Sequence, residues 1–461
     1  MPVSRYRNCF CKETKKDEWV SNFKMTTAAG DHQFIKANDR YFAVALRGGG
    51  GPVLLWDYTK PCRVPAGAPK IAGHGGGVTD TDFHPFNQTL LVTGSSDCTV
   101  KLWQVRKTRP SSFIFNETNR SKKQQQIPED GLTKNLTESL TTMEHAKRIL
   151  YTKFHPCASN VLAVADFDKT LKLWDITKPD EAMASLDFDN AICDVQWNRN
   201  GSLMGTTCKD HVIRVSDLRA GEKPVLAFEK SHQGSKPSKL CFVNNFNRLY
   251  SFGNGRSNSR VCKVWDMRKQ ASAMNEIKLD RGSGTLLPFY ESATDLIFVG
   301  GKGESTVKIM EAVSDKPYLD VYTSSRFTTG SAVGYCAIPK RACDTSKNEV
   351  MRLLRVLPDH IEPLSFTIPR RSTTFQKDLY PDCAAGVASM SASEWFGGAN
   401  KDPVTMSMDP RKRASSVGSA GVPGLDKSKS RQDVEAELKA AKYKLRVLKA
   451  ECELYKKQLE G

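Results

Sequence analysis

The side chains that could carry chemistry are present in this chain, but not at the spacings chemistry needs. Its eight histidines do not fall in metal-ligand spacing. Cys9 and Cys11 form a lone Cys-x-Cys, whereas a structural zinc site needs four ligands. No Gly-x-Ser-x-Gly elbow and no His-Glu-x-x-His helix occurs. Gly48-Gly49-Gly50-Gly51 could wrap a phosphate, yet no Gly-Lys-Ser/Thr and no helical pattern follows, so it reads as a strand-to-strand loop. No catalytic residue, metal or cofactor is therefore expected. What remains is charge. Lys and Arg number 68 against 51 Asp and Glu, a formal net charge of +17, which favours acidic partners: nucleic acid, an anionic membrane or an acidic protein surface. Arg411-Lys412-Arg413 ahead of Ser415 and Ser416 resembles a kinase site, where added phosphate would cut local positive charge. The 13 cysteines are odd in number and lack Cys-x-x-Cys pairs, which suits reduced thiols in the cytoplasm. No N-terminal secretory pattern and no run of 18 apolar residues occurs, so neither a signal peptide nor a transmembrane helix is expected.

The elements that would position such a charged surface are short strands. Within Gly73–Val105, the runs Val78–Phe83, Leu90–Thr93 and Val100–Val105 alternate with turns at His84–Asn87 and Ser95–Asp97. Such alternation reads as consecutive antiparallel strands. A Gly-His pair opens this unit and Trp103 closes it. The pattern resembles one blade of a WD-repeat propeller, and that resemblance implies a structural polar network of His74, Thr93, Asp97 and Trp103. Trp56 closes a first unit. Trp174 closes one opened by Glu144-His145 with Asp168 in its turn, and Trp265 closes another. From Trp174 to Trp265 is about twice the ~40–45 residues of a blade, and Ser216-Asp217 supplies the missing ending. One unit ends near Met310, and a last runs from Tyr318 to about Thr367. The expectation is an all-β, seven-bladed propeller over 1–369, interrupted by a polar insertion loop at 107–142. Ser4–Phe10 is the strand expected to close the last blade.

Three later stretches are more specific. Arg281–Glu304 (RGSGTLLPFYESATDLIFVGGKGE), Phe366–Asp382 (FTIPRRSTTFQKDLYPD) and Ser391–Pro403 (SASEWFGGANKDP) together resemble the coronins, actin-associated WD-repeat proteins. Leu-Leu-Pro-Phe, Gly-Lys-Gly-Glu, Pro-Arg-Arg-Ser, Asp-Leu-Tyr-Pro and Trp-Phe-Gly-Gly appear in order. Plain WD-repeat proteins lack this set, although the insertion at 107–142 departs from the usual coronin length. The resemblance implies an extension, 370–400, packed on the propeller through Leu379, Tyr380, Trp395 and Phe396. It also implies an actin-facing basic residue about ten positions before the Phe of blade one's first strand. Counting back from Phe34 lands on Lys24, with Arg5 and Arg7 expected to add to one patch. Filamentous actin is then the expected partner, with the branched-filament nucleating complex and cofilin as further family partners, and the actin cytoskeleton the expected location. Nucleic acid is not an expected partner. A generic WD-repeat adaptor not directed at actin is the alternative function.

Residues 401–430 are rich in Gly, Ser, Pro and basic side chains and read as a flexible linker. The segment 431–461 carries a strict heptad seam. Leu438, Leu445, Cys452 and Leu459 stand at a, and Val434, Ala441, Leu448 and Tyr455 at d. Ser430 and Asp433 form a near capping box at its start. Two apolar positions in seven make a narrow stripe, which favours a homo-oligomeric coiled coil over a helix docked on the propeller. Leu at a disfavours a simple dimer, and trimer and tetramer both stay open.

Overall fold

The computed structural model describes residues 4–105 and 132–412, apart from 29, 222, 235, 269–271 and 373. It divides into two units, Met1–Arg109 with Phe115–Asp409, and Pro110–Ile114 with Pro410–Gly461. Of the second only 410–412 are described, so the heptad seam from Val434 to Leu459, and Ser415 and Ser416, lie outside the described residues.

The first unit is an all-β, seven-bladed propeller. Blade two is representative: Val78–Phe83, Leu90–Ser95, Thr99–Gln104 and Thr141–Glu144, each pair antiparallel. The first strands of successive blades touch in a closed ring: Ile35–Ala37, Val78–Phe83, Ile149–Phe154, Ile192–Trp197, Lys239–Val243, Leu286–Glu291 and Gly334–Ala337. Strands alternate apolar faces into the gaps between blades, so the core is a set of inter-blade layers. Leu90, Val92 and Leu102 of blade two, for example, pack with Ile149, Leu162 and Trp174 of blade three. Acidic side chains also stitch the ring. Asp80 and Asp82 accept the backbone N–H groups of Thr152 and Phe154, and Asp194 accepts that of Leu240, each at 2.9 Å.

The structural blade is offset by one strand from the unit read in the sequence. Leu319–Arg326, placed above in the last unit, is the outer strand of blade six. Blade seven is Gly334–Ala337, Glu349–Val356 and His360–Thr367, and the N-terminus completes it. The closing strand is not Ser4–Phe10. Residues 4–9 turn back on themselves, with Arg7 N–H donating to the Ser4 carbonyl and Cys9 N–H to that of Tyr6. Pairing begins at Phe10, opposite Thr367, and resumes at Val20 and Ser21, opposite Ile361 and His360. Tyr6 and Cys9 are buried and anchor that turn against the core. The expected insertion is also shorter at its C-terminal end: Leu136 bonds through its backbone to Lys70 and Ala72, and Thr141 already belongs to blade two.

Inside blade two the side chains His74, Thr93, Asp97 and Trp103 form one chain of hydrogen bonds. Trp103 Nε1–H donates to Thr93 Oγ1 at 2.7 Å, and that hydroxyl lies 2.7 Å from His74 Nε2. His74 Nδ1 lies 2.9 Å from Asp97 Oδ2. Indole can only donate, so the Thr93 proton goes to Nε2, and His74 carries its own on Nδ1 toward Asp97. Burial lowers the His74 pKa against the pull of Asp97, which suits this neutral ring. Burial works to raise the Asp97 carboxyl. The Thr99 hydroxyl, the His74 ring and the N–H groups of Thr99 and Gly75 outweigh it and bring it down to about 2.

Blade three repeats the arrangement imperfectly. His145 Nδ1 meets Asp166 at 3.1 Å, not the Asp168 expected from the turn. Val164 stands where Thr93 does in blade two, so the hydroxyl link is missing, and His145 Nε2 and Trp174 Nε1 both have no partner among the described residues. Blade five has a third version that the reading of the sequence missed. Ser251 Oγ lies 2.8 Å from His232 Nε2 and accepts from Trp265 Nε1 at 2.9 Å. Its signal was present: a His roughly one blade-length before a closing Trp.

Replacing Asp97 with alanine orphans the His74 N–H and two backbone donors, an expected cost of about 1–3 kcal/mol. Because the folded pKa is depressed, the Asp97 contribution is full above the ordinary carboxylate pKa. It is lost as pH falls from about 4 through 2. Thermal unfolding of wild type and Asp97→Ala across pH 2–7 should therefore converge at the acid end. Equal midpoints at pH 7 would mean that the network does not hold the blade.

Candidate functional site

The link from the closing strand to blade one carries Lys24 onto the rim. Phe23 and Met25 on either side are buried at 8% and 5% exposure, while Lys24 is exposed. Alternation in an extended segment thus pins the ammonium outward. The backbone here is tied down. Met25 N–H donates to the Pro358 carbonyl at 3.0 Å, Met25 bridges Leu46, and Arg47 N–H donates to the Lys24 carbonyl at 3.0 Å. Asn22, at a φ of 74°, donates from its amide to the Val64 carbonyl at 2.6 Å. Ser21 pairs in parallel with Arg63, which brings the chain at Cys62–Arg63 beside the same corner.

Three exposed cations, Lys24, Arg47 and Arg63, therefore share the corner where blade seven meets blade one. Among the described residues none of them pairs with a carboxylate. An unneutralised cluster on a rigid edge attracts an acidic surface, and it sits on ordered backbone rather than on a free loop.

Arg5 and Arg7 are exposed too, but they do not join this cluster. Phe10 lies opposite Thr367 and Ser21 opposite His360, so seven residues of one strand separate the two ends, roughly 23 Å at 3.3 Å per residue. The Arg5 guanidinium is turned to the Asp378 carbonyl at 2.7 Å. The expected single patch of Arg5, Arg7 and Lys24 is thus two separate places on opposite rims of blade seven.

The opposite rim carries a docked segment. Met390 bridges Ala158, and Ser389 N–H donates to the Cys157 carbonyl at 3.0 Å. Trp395 is fully buried, with ring centroids 4.8 Å from His155 and 5.7 Å from Trp197. Leu379 and Tyr380 are buried in the layer that includes Phe366 and Met351.

No helix among the described residues is long and apolar enough to cross a membrane. Two stretches, 68–104 and 137–175, match the WD domain, G-beta repeat family. Residues 361–403 match a type of WD40 repeat, and 1–63 match a domain of unknown function. Over 416 residues the chain is 32% identical to human Coronin-2A, covering 88% of this chain and 74% of that one. Over 458 residues it is 31% identical to Coronin-A of Dictyostelium discoideum, covering 98% and 96%. Among solved structures it resembles the WD40 domain of Toxoplasma gondii coronin. The TM-score is 0.77 at 28% identity, covering 88% of this chain and 98% of that one.

Proposed function

The chain belongs to the coronin family, and from that premise we propose that it is a non-enzymatic scaffold that binds filamentous actin. Lys24 makes the central contact, with Arg47 and Arg63 beside it. The observation that carries this reading is the corner itself: three exposed cations, without a carboxylate partner among the described residues, held on ordered backbone at the blade-seven closure. Its charge is complementary to an acidic filament surface, and complementarity of this kind governs encounter and orientation. Arg5 and Arg7, on the other rim, are not part of this contact. The heptad segment from Val434 to Leu459 joins several propellers, which lets one molecule hold one filament at several points or bundle two. Contacts with the branched-filament nucleating complex and cofilin, and a cytoplasmic place on the actin cytoskeleton, belong to the same reading.

Lys24→Glu should weaken co-sedimentation with actin filaments about 3–10-fold at low salt, and the loss should shrink as salt rises because exposed charges are screened. Folding should survive, since an exposed substitution usually shifts stability by only about 0.5 kcal/mol. Arg7→Glu should leave binding unchanged. The assay is cleanest on a chain ending at Ser430, where multivalency cannot hide the effect. Binding by wild type that ignores Lys24→Glu at low salt would move the contact elsewhere. No binding by wild type at any salt would favour the alternative, a WD-repeat adaptor not directed at actin.

A further inference from the structure

Where the innermost strands run into their turns, the central channel of the propeller opens into a cavity of about 320 Å³. That volume lies at the lower end of the range for small-molecule sites. Its walls include Trp197, Phe242 and Tyr290, and its polar lining includes Lys36, Lys153, Gln33 and Gln196. No carboxylate lines it. The narrower stretch of channel next to it, which Gln33, Lys36, Lys153 and Gln196 line as well, holds Asp31, Asp80 and Asp194; Asp194 pairs with Lys239 at 3.2 Å and also accepts a backbone N–H. Asp80 and Asp82 likewise each accept a backbone N–H, and the charge of both acts on Lys36 and Lys153.

Lys36 and Lys153, on the first strands of blades one and three, both line this cavity. Among the described residues neither ammonium has an acceptor of its own. Two ammonium groups cannot satisfy each other, because both only donate. Burial, then the charge of Lys36, lowers the Lys153 pKa, while Asp82 and Asp80 outweigh burial and hold Lys36 up. The two ammonium groups therefore offer bound negative charge two charge-assisted hydrogen bonds. The side-chain amides of Gln33 and Gln196, which make no hydrogen bond of their own among the described residues, add neutral donors. The aromatic walls offer a face for an organic body.

We propose that this end of the channel binds a small soluble phosphate monoester, its phosphate bridging Lys36 and Lys153 and its body resting on Trp197 and Phe242. The site is separate from the Lys24 corner and does not depend on whether the chain binds actin.

The experiment is calorimetric titration of the full chain with phenyl phosphate, inorganic phosphate and uncharged phenol at matched ionic strength. Phenyl phosphate should bind saturably at one site per chain and several-fold more tightly than inorganic phosphate, and phenol should give no saturable heat. Lys153→Gln and Lys36→Gln should each weaken binding at least tenfold, and Lys24→Glu should leave it unchanged. Lys153→Gln is the safer variant to fold, because Gln196 already occupies the matching position of the next blade's first strand. Absence of saturable binding by both phosphates would overturn the site. So would binding that a folded Lys153→Gln chain retains in full, which would place the anion on the outer surface.

Discussion

Replacing Trp395 with alanine should destabilise the propeller by about 3–5 kcal/mol and release the segment around it. The helix that carries this side chain, Ala392–Phe396, has five residues, too few to persist alone in water. Its start is capped reciprocally. Ser391 N–H donates to Glu394 at 2.7 Å, and Glu394 N–H donates to the Ser391 hydroxyl at 3.3 Å. A cap of this kind contributes only about 1 kcal/mol, so the helix depends on what its indole covers.

That indole is fully buried among His155, Trp197 and Phe396, and the Arg219 guanidinium lies 4.9 Å from its ring centroid. Arg219 also donates to the carbonyls of Trp395 and Ala399, at 3.2 and 3.1 Å, and to the Asn400 amide oxygen at 3.0 Å. One anchor thus combines burial, a cation over an aromatic face and three hydrogen bonds. Alanine removes the burial and leaves Arg219 to carry the segment. Thermal unfolding should fall well below wild type, and limited proteolysis should open first within residues 385–400. Arg219→Ala should show the same pattern at smaller amplitude. Unchanged melting together with unchanged proteolysis in Trp395→Ala would mean that the segment does not buttress blades three and four.

The blades were legible because their signals are local. Alternation, turn residues and a closing Trp all lie within one unit, and so do His74, Thr93, Asp97 and Trp103. What escaped depends on contacts between units. The unit boundaries slipped by one strand because Leu319–Arg326 looks like an opening strand in sequence and becomes an outer strand only when the ring closes. His145 pairs with Asp166 and not with Asp168, and Val164, standing where blade two has Thr93, leaves no hydroxyl to tie Trp174 to His145. Arg5, Arg7 and Lys24 are neighbours in sequence, yet the register Phe10–Thr367 and Ser21–His360 sends them to opposite rims. Lys36 and Lys153 look like ordinary alternating polar positions on two strands. Only the ring of first strands brings them to one cavity.

The larger functional effect should come from the heptad segment, which lies outside the described residues. Deleting 431–461 should give a folded monomer, because the inter-blade layers and the N-terminal closure lie wholly within Met1–Arg109 and Phe115–Asp409. Burying the five large aliphatic seam residues, Val434, Leu438, Leu445, Leu448 and Leu459, is worth on the order of 10 kcal/mol per chain before ordering costs. Charge pairs along its edges add only about 0.5 kcal/mol each. In the proposed coiled coil the seam would outweigh these charge pairs, so salt should affect assembly little. In a parallel pair Glu437–Lys442 and Glu451–Lys456 attract while Lys444–Lys449 repels, a weak bias that leaves the count of helices to core packing. Linking propellers makes the second contact with a filament intramolecular, so the intact chain should hold filaments with about 10²–10⁴-fold higher apparent affinity than the truncated one. Sedimentation equilibrium and filament co-sedimentation on the two chains read the two parts separately. Equal masses would remove the coiled coil. Different masses with equal filament affinity would keep it and show that the geometry lets only one propeller reach the filament at a time.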